Sequence, residues 1–143
     1  MVIWTLRLFM VWALMLPLAH AETYQVKMLN NNDTGVMAFE PDYLHIQPGD
    51  TVHFVASDRT HNAMTIPNLW PDRAPTIRTP MNQDADVTFQ QVGFYGIKCL
   101  PHFMLGMVML IEVGENDTAA HIPNGLPARA KKRFEEIKQR AGL

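Results

Sequence analysis

Cysteine is almost missing from this chain: Cys99 is the only one in 143 residues. That excludes an internal disulfide and leaves one thiol to be explained. Positive charge is not in excess either. Twelve Lys and Arg against fourteen Asp and Glu give a formal net charge of −2, which excludes nucleic-acid binding through bulk basicity. After residue 21 no apolar run approaches the roughly 20 residues that a membrane helix needs. No cysteine lies near the end of the apolar leader, and no twin-arginine pair occurs within it. A lipid anchor of the bacterial lipoprotein type and export of a folded chain are thereby disfavoured. Repeats, low-complexity tracts and a second domain are lacking as well.

What is present begins with the leader. Arg7 is the only charge in residues 1–21, Leu8 to Ala19 is nearly continuously apolar, and the stretch ends in Ala19-His20-Ala21. This is a basic start, a short hydrophobic segment and a small-x-small cleavage site, so residues 1–21 are expected to be a signal peptide. An uncleaved anchor is the alternative, but the apolar run is short for a span. Residues 22–143 then form one domain with one core. Losing Arg7 makes that domain slightly more acidic. An exported protein keeps a free thiol safely only when it is buried or occupied.

Short β-type runs separated by turn residues fill residues 23–113. Tyr24 to Leu29 alternates and is expected to break at Asn30-Asn31-Asn32-Asp33-Thr34-Gly35. Pro48-Gly49-Asp50 marks a turn before Thr51 to Ala56, where Val52 and Phe54 share one face and His53 takes the other. Asp86 to Phe89, Phe94 to Lys98 and Met107 to Val113 supply further strands. Such spacing predicts an antiparallel sandwich or barrel. Residues 66–81, with four prolines, read as an irregular excursion packed partly by Trp70. Beyond about residue 115 the period changes: Leu126, Ala130, Phe134 and Ile137 fall on one helical face, with Pro127 in a first turn. A helix that docks on the sandwich is expected; binding to a membrane surface is the alternative.

The sole cysteine lies in Cys99-Leu100-Pro101-His102-Phe103-Met104-Leu105-Gly106-Met107, a Cys-x2-His-x4-Met arrangement. His61 lies upstream in Thr60-His61-Asn62. Taken singly, Cys99 reads as an inert core residue, Met107 as core filler and each histidine as an ordinary surface or satisfied side chain. Together they offer two imidazoles, a thiolate and a thioether, the donor set of blue-copper electron-transfer sites. Thiolate and thioether suit Cu(I) and imidazole also suits Cu(II), so the set tolerates both states. Zinc would prefer Cys, His or carboxylate to a methionine in its fourth place. Pro101 stiffens the loop and Gly106 lets it turn before Met107. His45, His53 and His121 are expected to be non-ligands, and His20 leaves with the leader.

The chain resembles the pseudoazurins, type 1 copper proteins of the cupredoxin superfamily. The residues that carry this are Met37-Ala38-Phe39-Glu40-Pro41, Pro48-Gly49-Asp50-Thr51-Val52, Thr60-His61-Asn62, Gly96-Ile97-Lys98-Cys99-Leu100-Pro101-His102 and Gly106-Met107, together with the helical tail. The resemblance implies an all-β, cupredoxin-like Greek-key sandwich with a C-terminal helix. It implies one type 1 copper cycling between Cu(I) and Cu(II), held by His61, Cys99 and His102 with Met107 as a long axial ligand. Asn62 would tie the two ligand loops together by a hydrogen bond, and His102 would be the exposed electron port.

Docking would use an apolar centre of Pro101, Met104 and Met37 around His102, with a basic rim from Arg59, Lys98 and Arg78. The rim is thinner than in relatives, and Leu100 stands where they are often polar. The resemblance further implies a monomeric periplasmic electron shuttle with no substrate chemistry of its own. Its transient partners would be a copper nitrite reductase, a c-type cytochrome or a cytochrome c peroxidase. A copper carrier is the rival function. A copper oxidase or reductase domain would need an open position or a second metal site, and no further histidine cluster is present.

Overall fold

The computed structural model describes residues 20–143; the expected leader therefore lies almost wholly outside the described residues. Two four-stranded sheets face each other. One has the order β2-β1-β4-β6, built from Thr23–Asn32 (β1), Gly35–Glu40 (β2), Thr51–Val55 (β4) and Ala85–Thr88 (β6). The other runs β3-β8-β7-β5, from Tyr43–Ile46 (β3), Val108–Val113 (β8), Gly93–Lys98 (β7) and Met64–Thr65 (β5). A 14-residue helix α1, Ala128–Ala141, closes the chain. No helix among the described residues is long and apolar enough to cross a membrane.

The sandwich is as expected, but three details differ from the sequence reading. The pairing is mixed, because β1 runs parallel to β4 and β3 parallel to β8; the chain returns to each sheet only after visiting the other. The expected break at Asn30 does not occur. β1 continues to Asn32, since Asn31 and Asn32 pair with Val36 and Gly35, leaving Asp33 and Thr34 to turn. Pro127 stands just before α1 as its N-cap residue, not in the first turn.

β8 explains how the helix attaches. All six of its residues are buried, because both faces are covered. Met109, Ile111 and Val113 point into the core between the sheets, alongside Val26, Phe54 and Ile97. Val108 and Leu110 point outward into a second core with Ala130, Phe134 and Ile137 of α1. The outward Glu112 is buried and accepts the Tyr43 hydroxyl proton bond at 2.7 Å, which satisfies a carboxylate that would otherwise be costly to bury.

Candidate metal centre

β7 and β8 are antiparallel neighbours, with Lys98 opposite Val108. The connection between them must turn back over about nine residues, and its own backbone hydrogen bonds shape it. Cys99 N–H donates to the Met107 carbonyl at 3.0 Å, and Met107 N–H donates to the His102 carbonyl at 3.2 Å. Phe103–Leu105 form one 3-10 turn, ended by Gly106 at φ +88°. A Cβ on Gly106 would lie 3.0 Å from the Arg129 carbonyl oxygen, so the loop seats its turn directly on α1 where only glycine fits.

The second loop follows β4. His61 is fully buried, and its carbonyl accepts from Asn82 N–H at 3.1 Å. Asn62 joins the two loops: its Oδ1 accepts from Leu100 N–H at 2.9 Å. Asn30 was not legible as a site residue, being part of a run that reads as a turn. Its Oδ1 lies 3.0 Å from His61 Nε2. An amide oxygen only accepts, so Nε2 carries the proton and Nδ1 keeps its lone pair.

That lone pair faces the other donors. His61 Nδ1 is 3.7 Å from Cys99 Sγ, His102 Nδ1 is 3.6 Å from it, and the two Nδ1 atoms are 3.1 Å apart. Among the described residues these three are the only group of His, Cys, Asp and Glu so converged. Metal bonds of about 2.0–2.3 Å to nitrogen and sulfur require donors roughly 3–4 Å apart, so the spacing fits one ion with soft and borderline donors. Met107 is fully buried in the inter-sheet core that also holds Cys99, and its backbone bonds to Cys99 and His102 tie it to the loop that carries them. His45, His53 and His121 lie outside it; His45 Nε2 contacts the Gly114 carbonyl and His53 Nδ1 the Asp86 carboxylate.

Burial, and then the adjacent His102, hold the His61 imidazole below its ordinary pKa, with Asp58 pulling weakly the other way. Burial lowers His102 too. Both rings are thus neutral donors at neutral pH. Burial pushes the Cys99 thiol up, opposed by hydrogen bonds from the Asn62 and His102 backbone. Metal binding must therefore displace its proton.

Around the centre the surface is apolar. His102 is partly exposed and Pro101 exposed. Met104 is 71% exposed, and Leu100 and Leu105 also reach solvent. Met37 is half-buried against the inter-sheet core at φ +52°. Of the basic residues, Arg59 and Arg78 are exposed. Lys98 is half-buried, its Nζ 4.7 Å from the centre of the Phe103 ring. Met64 sits between Lys98 and Arg78 in the strand pairing, so these two cations flank one position of the sheet.

Comparison with known proteins points the same way. The family described as copper binding proteins of the plastocyanin/azurin family matches residues 26–114. A pseudoazurin of Paracoccus pantotrophus is 37% identical over 118 residues, covering 80% of this chain and 81% of that protein. A putative pseudoazurin of Rhizobium leguminosarum bv. viciae is 46% identical over 123 residues, covering 82% and 81%. The crystal structure of pseudoazurin from Methylobacterium extorquens AM1 superposes with a TM-score of 0.79 at 36% identity, covering 83% of this chain and 98% of that one.

Proposed function

Since this chain belongs to the plastocyanin/azurin family of copper-binding proteins, on its pseudoazurin side, we propose that His61, Cys99, His102 and Met107 are the copper ligands of a one-electron carrier. The family makes the metal copper and the protein a blue copper electron-transfer protein. The observation that carries the ligand assignment is the convergence of two Nδ1 atoms and one Sγ within 4.8 Å, between two loops bound to each other.

Copper held there supplies a one-electron Cu(I)/Cu(II) couple. The chain's own part is to keep the donors still. Asn30 fixes the His61 tautomer, Asn62 clamps the two loops, and the Cys99–Met107 backbone bond closes the ligand loop. A site whose donors do not move between charge states has little to reorganise. The buried Met107 and Cys99 keep water from the inner side, while the partly exposed His102 is the way out for the electron. Its apolar surround of Pro101, Met104 and Met37, with Arg59, Lys98 and Arg78 as rim charges, fits brief contact with another redox protein. Small, weakly held interfaces suit such encounters.

By the same reading residues 1–21 are removed on export and residues 22–143 work in the periplasm as a monomer, without substrate turnover. The partners are redox proteins such as a copper nitrite reductase, a c-type cytochrome or a cytochrome c peroxidase.

The test is the visible absorption and EPR spectrum of the protein with one equivalent of Cu(II), followed by ascorbate. Intense thiolate-to-copper absorption with narrow copper hyperfine splitting, bleached by ascorbate and restored by oxidant, is expected. It should vanish in Cys99→Ser. A pale protein with an ordinary copper signal would overturn the assignment and favour copper carriage.

A further inference from the structure

A cationic groove lies beside the metal loop, between the β1–β2 turn and α1. Its volume is about 290 Å³. Thr34, Gly35 and Val36 form one wall, Arg129, Lys132, Arg133 and Glu136 the other, so that cations outnumber the one carboxylate, and Leu105 of the ligand loop closes one end. Residues 129, 132 and 133 share a helical face, distinct from the apolar stripe of Ala130, Phe134 and Ile137.

Arg133 separates this groove from ordinary solvated surface charge. It is only 9% exposed, and its guanidinium donates to the Met37 carbonyl at 3.3 Å and the Val36 carbonyl at 3.2 Å. Both acceptors are neutral. Among the described residues no carboxylate comes within ion-pair distance of it. Arg140, on the same helix, shows the contrast: it grips the buried Asp42 carboxylate at 2.6 and 2.7 Å. A guanidinium so far out of water, facing only carbonyls, leaves positive potential uncompensated where it lies. Arg129 adds an exposed cation that has no ion pair among the described residues. Lys132 reaches Glu136, the groove's one carboxylate, at 3.8 Å, a pairing of little energy because the Lys132 side chain is largely in solvent.

The lip of the groove is apolar and continuous with the copper pole. Val36 is 54% exposed, and Leu105 is next to Met104 on the loop that carries His102. A partner whose apolar face covers that loop would bring its edge over the groove. Apolar contact has no preferred rotation about the contact axis, whereas one off-centre charge receptor does.

We propose that this groove is a receptor for an acidic side chain, glutamate or aspartate, of the redox partner. Arg129 and Lys132 grasp the carboxylate, Arg133 supplies the standing field, and α1 thereby sets the rotational register of docking. The proposal deepens the electron-carrier reading and rests on it for the partner's identity as a redox protein.

The experiment is a backbone-amide NMR titration of the copper-loaded, reduced protein with acetylated tetraglutamate amide at low ionic strength. Saturable shifts are expected at Thr34, Gly35, Leu105, Arg129 and Lys132, reversed by salt in the physiological range. The Arg129→Gln/Lys132→Gln double variant should bind on the order of fivefold more weakly with its visible spectrum unchanged. Shifts confined to the Arg59 and Lys98 side, equal binding by the double variant, or equal saturation by inorganic phosphate at matched ionic strength would each overturn the proposal. The last would mean a site for small anions only. Failure of the electron-carrier reading has a separate signature, loss of the thiolate-to-copper band on loading.

Discussion

Thr60 holds the most strained position near the metal centre. Its φ is +73°, in the left-handed region that a β-branched residue occupies only under constraint. Two bonds hold it there: its N–H donates to Asn82 Oδ1 and its hydroxyl to the Arg59 carbonyl. Its own carbonyl lies 4.0 Å from Cys99 Sγ, so the backbone angle helps to position His61 against the thiol. Strain of this kind costs about 1–3 kcal/mol, while glycine gives back part of that in chain entropy. Thr60→Gly is therefore expected to raise the unfolding free energy by about 1 kcal/mol, measured by urea denaturation, with an unchanged copper spectrum. A loss of stability would show that the two bonds outweigh the strain. The convergence of His61, Cys99 and His102 was legible from sequence because a lone cysteine, a histidine and a methionine in one loop are a rare conjunction. Asn30 was not, because its bond to His61 joins positions 31 apart, and only folding brings them together. Asn30→Leu tests its part: the copper spectrum should survive, but the His61 ring, freed at Nε2, should broaden its NMR signals.

At the scale of elements, β8 shows why pattern alone stopped short. A half-buried strand alternates apolar with polar, but Val108 to Val113 is apolar on both sides except for Glu112. Its sequence marks it as buried and leaves open what covers each face. The helical period of residues 126–137 supplies one cover, and the tertiary structure joins the two through Phe134 and Leu110. The parallel pairs β1/β4 and β3/β8 were likewise hidden, since strand patterns carry no information on partner or direction. Two substitutions separate the helix's packing role from its bearing on the metal loop. Phe134→Ala removes a fully buried ring and should cost about 3–5 kcal/mol of stability, with little change in colour, because Cys99 and Met107 sit in the other core. Gly106→Ala places a methyl 3.0 Å from the Arg129 carbonyl at a φ of +88°. It should cost less stability yet shift the visible bands, since the displaced residue immediately precedes Met107. Equal spectra for the two variants would mean that α1 does not position the loop.

For the whole molecule, the two histidines and the cysteine make stability without copper depend on pH in opposite directions at the two ends. Burial lowers the pKa of His61 and His102, so as pH falls through about 6.5 the unfolded chain takes up protons before the folded one does. The copper-free protein should lose stability from about pH 7 downward. The Cys99 thiol is raised, so above its ordinary range the unfolded chain loses a proton that the folded one keeps, and alkaline pH also destabilises. Between these limits both rings are neutral and the thiol is protonated. Copper uptake near pH 7 is then expected to release close to one proton per ion, read with an indicator dye in weak buffer. Release of two or more would mean that an imidazole is protonated in the copper-free site, contrary to the depressed values. On the proposed ligand assignment copper replaces the thiol proton and blocks both Nδ1 atoms, so the loaded protein should hold its melting temperature further into acid than the copper-free form. The difference between the two curves should widen as pH falls from about 7 until the falling affinity releases the metal. Parallel curves across that interval would place the acid-sensitive groups outside the metal centre.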